Sequence, residues 1–149
     1  MSFKVEENVL HIEYKKEEDI PLYIKKIADK YEGEMKNRIG FNFPMSFVKE
    51  TDKEMYKNLI KKYGEFSYVI VYKKGDVLTK KHELCHAKYA LDNEYKKSIL
   101  LLWDSLSEKY KKNVLLSLKK MNYPDNMEIL IDEFQAYYYT EKKGFFGKE

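Results

Sequence analysis

Two histidines and a glutamate meet in the run His82-Glu83-Leu84-Cys85-His86, where a helix would arrange them for metal-assisted hydrolysis. With about 100° of rotation per residue, side chains four apart lie about 40° apart around the axis, so both imidazoles can reach one cation. Glu83 sits about 100° from His82, close enough to contact a water on that cation without being a ligand. That is the position of a general base. Zinc suits two neutral imidazoles and a carboxylate, and it leaves a fourth position for water, whose pKa falls to about 7. Two of the chain's three histidines lie in this run. The third, His11, falls in a predicted strand and reads as an ordinary structural or surface residue. Cys85 reads as a buried, inert thiol.

A third protein ligand is needed, and the stretch Asp132-Glu133-Phe134-Gln135-Ala136-Tyr137 offers one. On a helix, Ile129, Leu130, Glu133, Ala136, Tyr137 and Thr140 share one stripe, which places the Glu133 carboxylate in a largely apolar face. An uncompensated carboxylate there costs several kcal/mol, about what coordination to a divalent cation would relieve. A salt bridge to a lysine or arginine is the competing reading. Ala136, one turn on, is small enough to let a second helix approach.

The elements that must position these groups follow from periodicity. Residues 9–14 roughly alternate apolar and polar and read as a strand. A helix begins near Asp19, Ile20 and Pro21, turns Leu22, Ile24, Ile27, Ala28 and Tyr31 inward, and stops at Gly33. Residues 40–47 read as a second strand or an ordered loop on the sheet. Thr51 with Glu54 resembles a capping box for a helix through Met55, Leu59, Ile60 and Tyr63, ended by Gly64. Residues 66–72 form a mostly buried strand, closed by the turn Lys74-Gly75-Asp76. Helices are expected at 78–91, 94–110, 113–121 and 124–142, the second with a core stripe of Ile99, Leu102, Trp103 and Leu106. The fold class is α+β.

The HELCH helix, the glutamate on a later helix and the upstream strand closed by a turn resemble a gluzincin, a zinc metallopeptidase, in the manner of its small, minimal members. Thermolysin-like peptidases are similar more loosely, and the resemblance spans roughly residues 66–141. It implies a zincin-like fold: a small N-terminal sheet packed on the active-site helix, and a helical C-terminal half carrying the third ligand. It also implies Zn²⁺ on His82, His86 and Glu133, with Glu83 as the catalytic base. The strand 66–72 would be the sheet edge on which an extended peptide substrate is laid. A tyrosine would stabilise the oxyanion, and of Tyr137, Tyr138 and Tyr139 the first shares Glu133's face. Many gluzincins place an aspartate four residues after the glutamate ligand; Tyr137 stands there in this chain, leaving Asp132 and Asp92 as carboxylates able to orient a histidine.

Bulk properties agree with a small enzyme. The chain has 149 residues, the size of one domain, divided into 1–77 (mainly sheet with helices), 78–143 (helical, with the metal site) and a tail at 144–149. Hydrophobic residues make up 44% and charged residues 36%, which excludes a disordered chain. Net charge is only +3, because 28 basic residues are matched by 25 acidic ones, so a nucleic-acid partner is not expected. One cysteine, a charged N-terminal segment and apolar runs far shorter than the roughly 20 residues of a membrane span imply a cytoplasmic protein without a membrane partner. Peptide or protein substrates are the partners implied. Two other readings are a zinc-binding regulatory or interaction module with little or no turnover, and a helical interaction domain with a chance motif. The Gly-flanked tail 144–149 follows the Glu133 helix closely, so it is expected to lie near the cleft and limit access, and its deletion to raise cleavage.

Overall fold

A computed structural model describes residues 1–34 and 39–149. It holds a four-stranded mixed sheet and, among the described residues, seven α-helices. The chain divides into two units, Met1–Ala87 and Lys88–Glu149.

The first unit opens with a hairpin of β1 (Ser2–Glu6) and β2 (Val9–Tyr14). Its two-residue turn uses positive φ at both positions, 46° at Glu7 and 69° at Asn8, the twist that antiparallel strands prefer. A short 3₁₀ turn then leads to α1 (Leu22–Glu32), capped at Gly33 with φ 84°. Ile24, Ile27 and Ala28 of α1 are buried as the pattern predicts. Leu22 instead points to solvent, and Tyr31 packs its ring edge-on against Phe47 at 5.1 Å at the rim of the core rather than entering it.

The segment 40–47 resolves into strand β3 (Phe41–Pro44) followed at once by a helix, α2 (Met45–Thr51), that the sequence pattern did not indicate. Next comes α3 (Lys53–Tyr63). Its cap is Asp52, whose carboxylate accepts from the Met55 backbone N–H at 3.0 Å, while Thr51 is the last residue of α2. The expected box at Thr51 and Glu54 is therefore displaced by one residue.

Strand β4 (Tyr68–Lys73) pairs parallel to β2 and antiparallel to β3, giving the order β1-β2-β4-β3. β4 is thus central and hydrogen-bonded on both sides. The expectation that strand 66–72 forms a free edge for substrate fails, because pairing partners on both sides use its backbone groups; β1 and β3 are the edges. Side-chain alternation sends Leu10, Ile12, Val69, Val71, Phe41 and Phe43 to one face, where they pack with α1–α3. Val9, Tyr68, Ile70 and Tyr72 take the other face, with Leu84 and Ala87 of α4 (Val77–Leu91). The boundary between the units lies within α4.

The second unit contains α5 (Asn93–Ser105), α6 (Glu108–Lys120) and α7 (Met127–Thr140). The helix expected at 94–110 ends early: Ser107 accepts from the Tyr110 N–H at 3.1 Å and starts α6, which absorbs the helix expected at 113–121. α7 begins later than Pro124, because Asn126 caps it by accepting from Glu128 N–H at 3.0 Å. Ile99, Trp103, Tyr110, Val114, Leu118, Leu130, Phe134 and Phe146 form the core. No helix among the described residues is long and apolar enough to cross a membrane.

The displaced cap is testable. Asp52→Ala should lower stability by about 1 kcal/mol and Thr51→Ala by less, read as the midpoint of urea unfolding; the reverse order would restore the Thr51 cap.

Candidate active site

Helix α4 starts where the chain leaves β4 through Gly75, at φ 87°. Asp76 fastens this start: its carboxylate accepts from Thr79 N–H at 3.0 Å and from Thr79 Oγ1 at 2.6 Å, bonds that hold it below the usual carboxylate pKa. Thr79, Glu83 and His86 follow at helical spacing and are all buried, while His82 is half-buried.

The two imidazoles converge. Their Nε2 atoms are 3.3 Å apart and their rings cross at 71°. Two nitrogens bound to zinc at about 2.0–2.1 Å with a tetrahedral angle are separated by about 3.3–3.4 Å, so the pair has the edge length of such a site. The histidines fit a zinc ion in donor type and in spacing.

Glu83 is only 5% exposed, and β3 supplies it with a partner. Asn42 Nδ2 donates to Glu83 Oε2 at 2.9 Å and to Glu32 Oε1 at 2.8 Å, while the Tyr68 hydroxyl donates to Asn42 Oδ1 at 2.6 Å. Strand alternation explains the placement: Phe41 and Phe43 enter the core beneath the sheet, so Asn42 between them must face α4. Gly40 precedes them, and a Cβ there would lie 2.7 Å from Glu83 Oε1 and 2.7 Å from Thr79 Cγ2. Sequence reasoning missed Asn42, Gly40, Tyr68 and Glu32 as partners of the motif. The available signal was an amide flanked by two phenylalanines in a strand.

Glu133 belongs to the second unit, on α7, and is 6% exposed. The Tyr123 hydroxyl hydrogen-bonds its carboxylate, and the Tyr123 and Tyr137 hydroxyls are 2.8 Å apart. Burial, and then the adjacent Glu133 charge, push the Tyr123 phenol far above its ordinary pKa, which keeps it a donor. Tyr137, expected to face an oxyanion, thus has its hydroxyl on Tyr123 and its ring stacked on Phe145 at 5.3 Å. Tyr138 donates to Glu149 at 2.7 Å, and Tyr139 is exposed. Of the carboxylates offered for orienting a histidine, Asp92 caps α5 by accepting from Tyr95 N–H, and Asp132 accepts from Gln135 Nε2 at 3.0 Å. Cys85 is half-buried rather than enclosed.

His11 is buried on the α4 face of the sheet, with Nδ1 3.0 Å from the Tyr72 hydroxyl. Burial pushes its pKa below the ordinary 6.5, Lys80 and Lys4 add to the shift, and Glu6 and Glu13 oppose it. The tail lies within the second unit: Phe146 is buried against Phe134 and Tyr137. It serves there as core, whatever its effect on access.

No protein-family model, curated protein or solved structure matches the chain.

Two outcomes are expected. Neutral His11 is favoured in the folded state, so the unfolded chain binds its proton first; stability should fall as pH drops from about 6.5 toward the lower folded value, and His11→Gln should flatten that slope in urea midpoints. Phe146→Ala should destabilise the second unit by about 3–5 kcal/mol, measured by thermal unfolding; a loss under 1 kcal/mol would show that the tail is not core.

Proposed function

We propose that this chain is a zinc-dependent peptidase of the gluzincin type on a zincin-like α+β fold. His82, His86 and Glu133 are its ligands, and Glu83 is its general base. The observation that carries the reading is the 3.3 Å separation of the two imidazole nitrogens beside a buried carboxylate that is held but is not one of the proposed ligands. A scaffold that only bound zinc would not need Glu83 as a base.

When bound, the ion would polarise the scissile carbonyl and acidify a water. Glu83 takes the proton from that attacking water and delivers it to the leaving amine. Burial of Glu83 keeps bulk water from competing for this proton, and the Asn42 amide fixes the carboxylate's direction. On Glu133, the Tyr123 hydroxyl donates to the carboxylate and restrains the ligand's orientation, the part that outer partners commonly play. The 2.8 Å contact with Tyr123 supports a positioning part for Tyr137, through Tyr123, over direct contact with an oxyanion. Peptides or proteins are the substrates, and the cytoplasm is the compartment in which a single-cysteine chain of this kind would act.

Two glutamate variants separate the roles. Glu83→Gln should keep one zinc per chain and a near-wild-type melting temperature while peptide cleavage falls by roughly 10² or more. Glu133→Ala should lose the metal, and a chelator should lower the melting temperature of wild type and Glu83→Gln but not of Glu133→Ala. One tightly held zinc in Glu133→Ala would refute the ligand set; full activity in Glu83→Gln would refute hydrolysis at this site.

A further inference from the structure

We infer that Asn42 is a positioning residue, a neutral clamp that holds the Glu83 carboxylate in one orientation, and that Gly40 exists to let that carboxylate lie flush on the main chain. The inference rests on Glu83 being the base of the proposed hydrolysis.

An amide nitrogen has two hydrogens, and Asn42 spends them on two carboxylates, Glu83 at 2.9 Å and Glu32 at 2.8 Å. Its oxygen takes the Tyr68 hydroxyl at 2.6 Å. Flipping the amide would set its oxygen against both acids, so the three contacts admit one orientation. Asn42 is 4% exposed, which excludes water as a substitute donor of equal geometry. A buried carboxylate needs donors for its oxygens, and a neutral amide supplies one without adding a charge beside them. A lysine in the same place would give a full counter-charge instead.

Gly40 completes the cradle. With a Cβ 2.7 Å from Glu83 Oε1 and 3.1 Å from Glu83 Cδ, any other residue would drive the carboxylate aside. The carboxylate is therefore confined by backbone on one side and tethered by Asn42 on the other, while Asn42 is fixed from β4 through Tyr68 and from α1 through Glu32.

The test uses the full-length chain with Asn42→Asp, which keeps the shape but gathers a third carboxylate, with Gly40→Ala, and with the milder Tyr68→Phe in case either fails to fold. Zinc per chain, kcat and KM are measured on a peptide that wild type cleaves. We expect kcat to fall about 10–100-fold for Asn42→Asp and Gly40→Ala and less for Tyr68→Phe, with KM within about twofold and zinc unchanged. A second measurement does not depend on cleavage: urea unfolding with chelator present for Asn42→Ala, Glu83→Gln and the pair. Asn42→Ala should lower the folding equilibrium constant at least about fivefold less in the Glu83→Gln background, since the carboxylate that Asn42 holds is then absent. Additive unfolding effects, or unchanged kcat in Asn42→Asp, overturn the clamp. Non-additive unfolding in a protein that cleaves no peptide upholds the clamp and sinks the peptidase reading alone.

Discussion

A carboxyl group nearly removed from water is the constraint around which the first unit is arranged. Glu83 has to keep donors within hydrogen-bond reach while its helix packs on a sheet through Leu84 and Ala87. The sheet contributes to that demand through Asn42. Because β3 is paired in a single register with β4, Asn42 stands opposite Ile70 on the α4 face, and both phenylalanines beside it point away. A slip of one residue would bring a phenylalanine to Glu83 and bury an amide in the core beneath the sheet, so the apolar pattern of β3 enforces the polar contact.

The second unit handles its buried acid with different chemistry. Glu133 is met by phenols, Tyr123 directly and Tyr137 behind it, in a region where Phe134, Phe145 and Phe146 pack ring against ring. An aromatic surrounding excludes water and raises the phenol's pKa, which makes Tyr123 a dependable donor. The same rings tie the tail to α7, so the last residues of the sequence support the helix that carries the acid.

How much of this could be read from the sequence depends on the range of the interaction. β2 was legible to the residue, and the motif helix nearly so, since alternation, a Gly-Asp turn and the His-x-x-x-His period are all local. Caps were less secure: Thr51 and Asp52 have the same capping chemistry one residue apart, and only the position of α2 decides between them. The break at Ser107 was hidden because Leu106 extends the apolar stripe of α5 past the end of that helix. The place of β4 in the sheet was illegible for a different reason, since a strand's neighbours are set by pairing over long separations that leave no mark on its own residues. Asn42 and Tyr123 were missed likewise: each is defined by what it touches, not by a motif.

The parallel pairing of β2 with β4 also joins parts of the chain that lie far apart in sequence. Asn8 and Ser67, joined by a hydrogen bond beside that ladder, are 59 positions apart, so closing the sheet means ordering a long intervening loop. Loop closure over such separations is slow compared with the growth of a helix, which takes nanoseconds per residue. The two imidazoles need only a formed α4 to converge, whereas Glu83 needs β3 and β4 already in register. The convergence of the two histidines is therefore a contact of short range, and the Glu83–Asn42 bond one of long range that only the assembled sheet supplies.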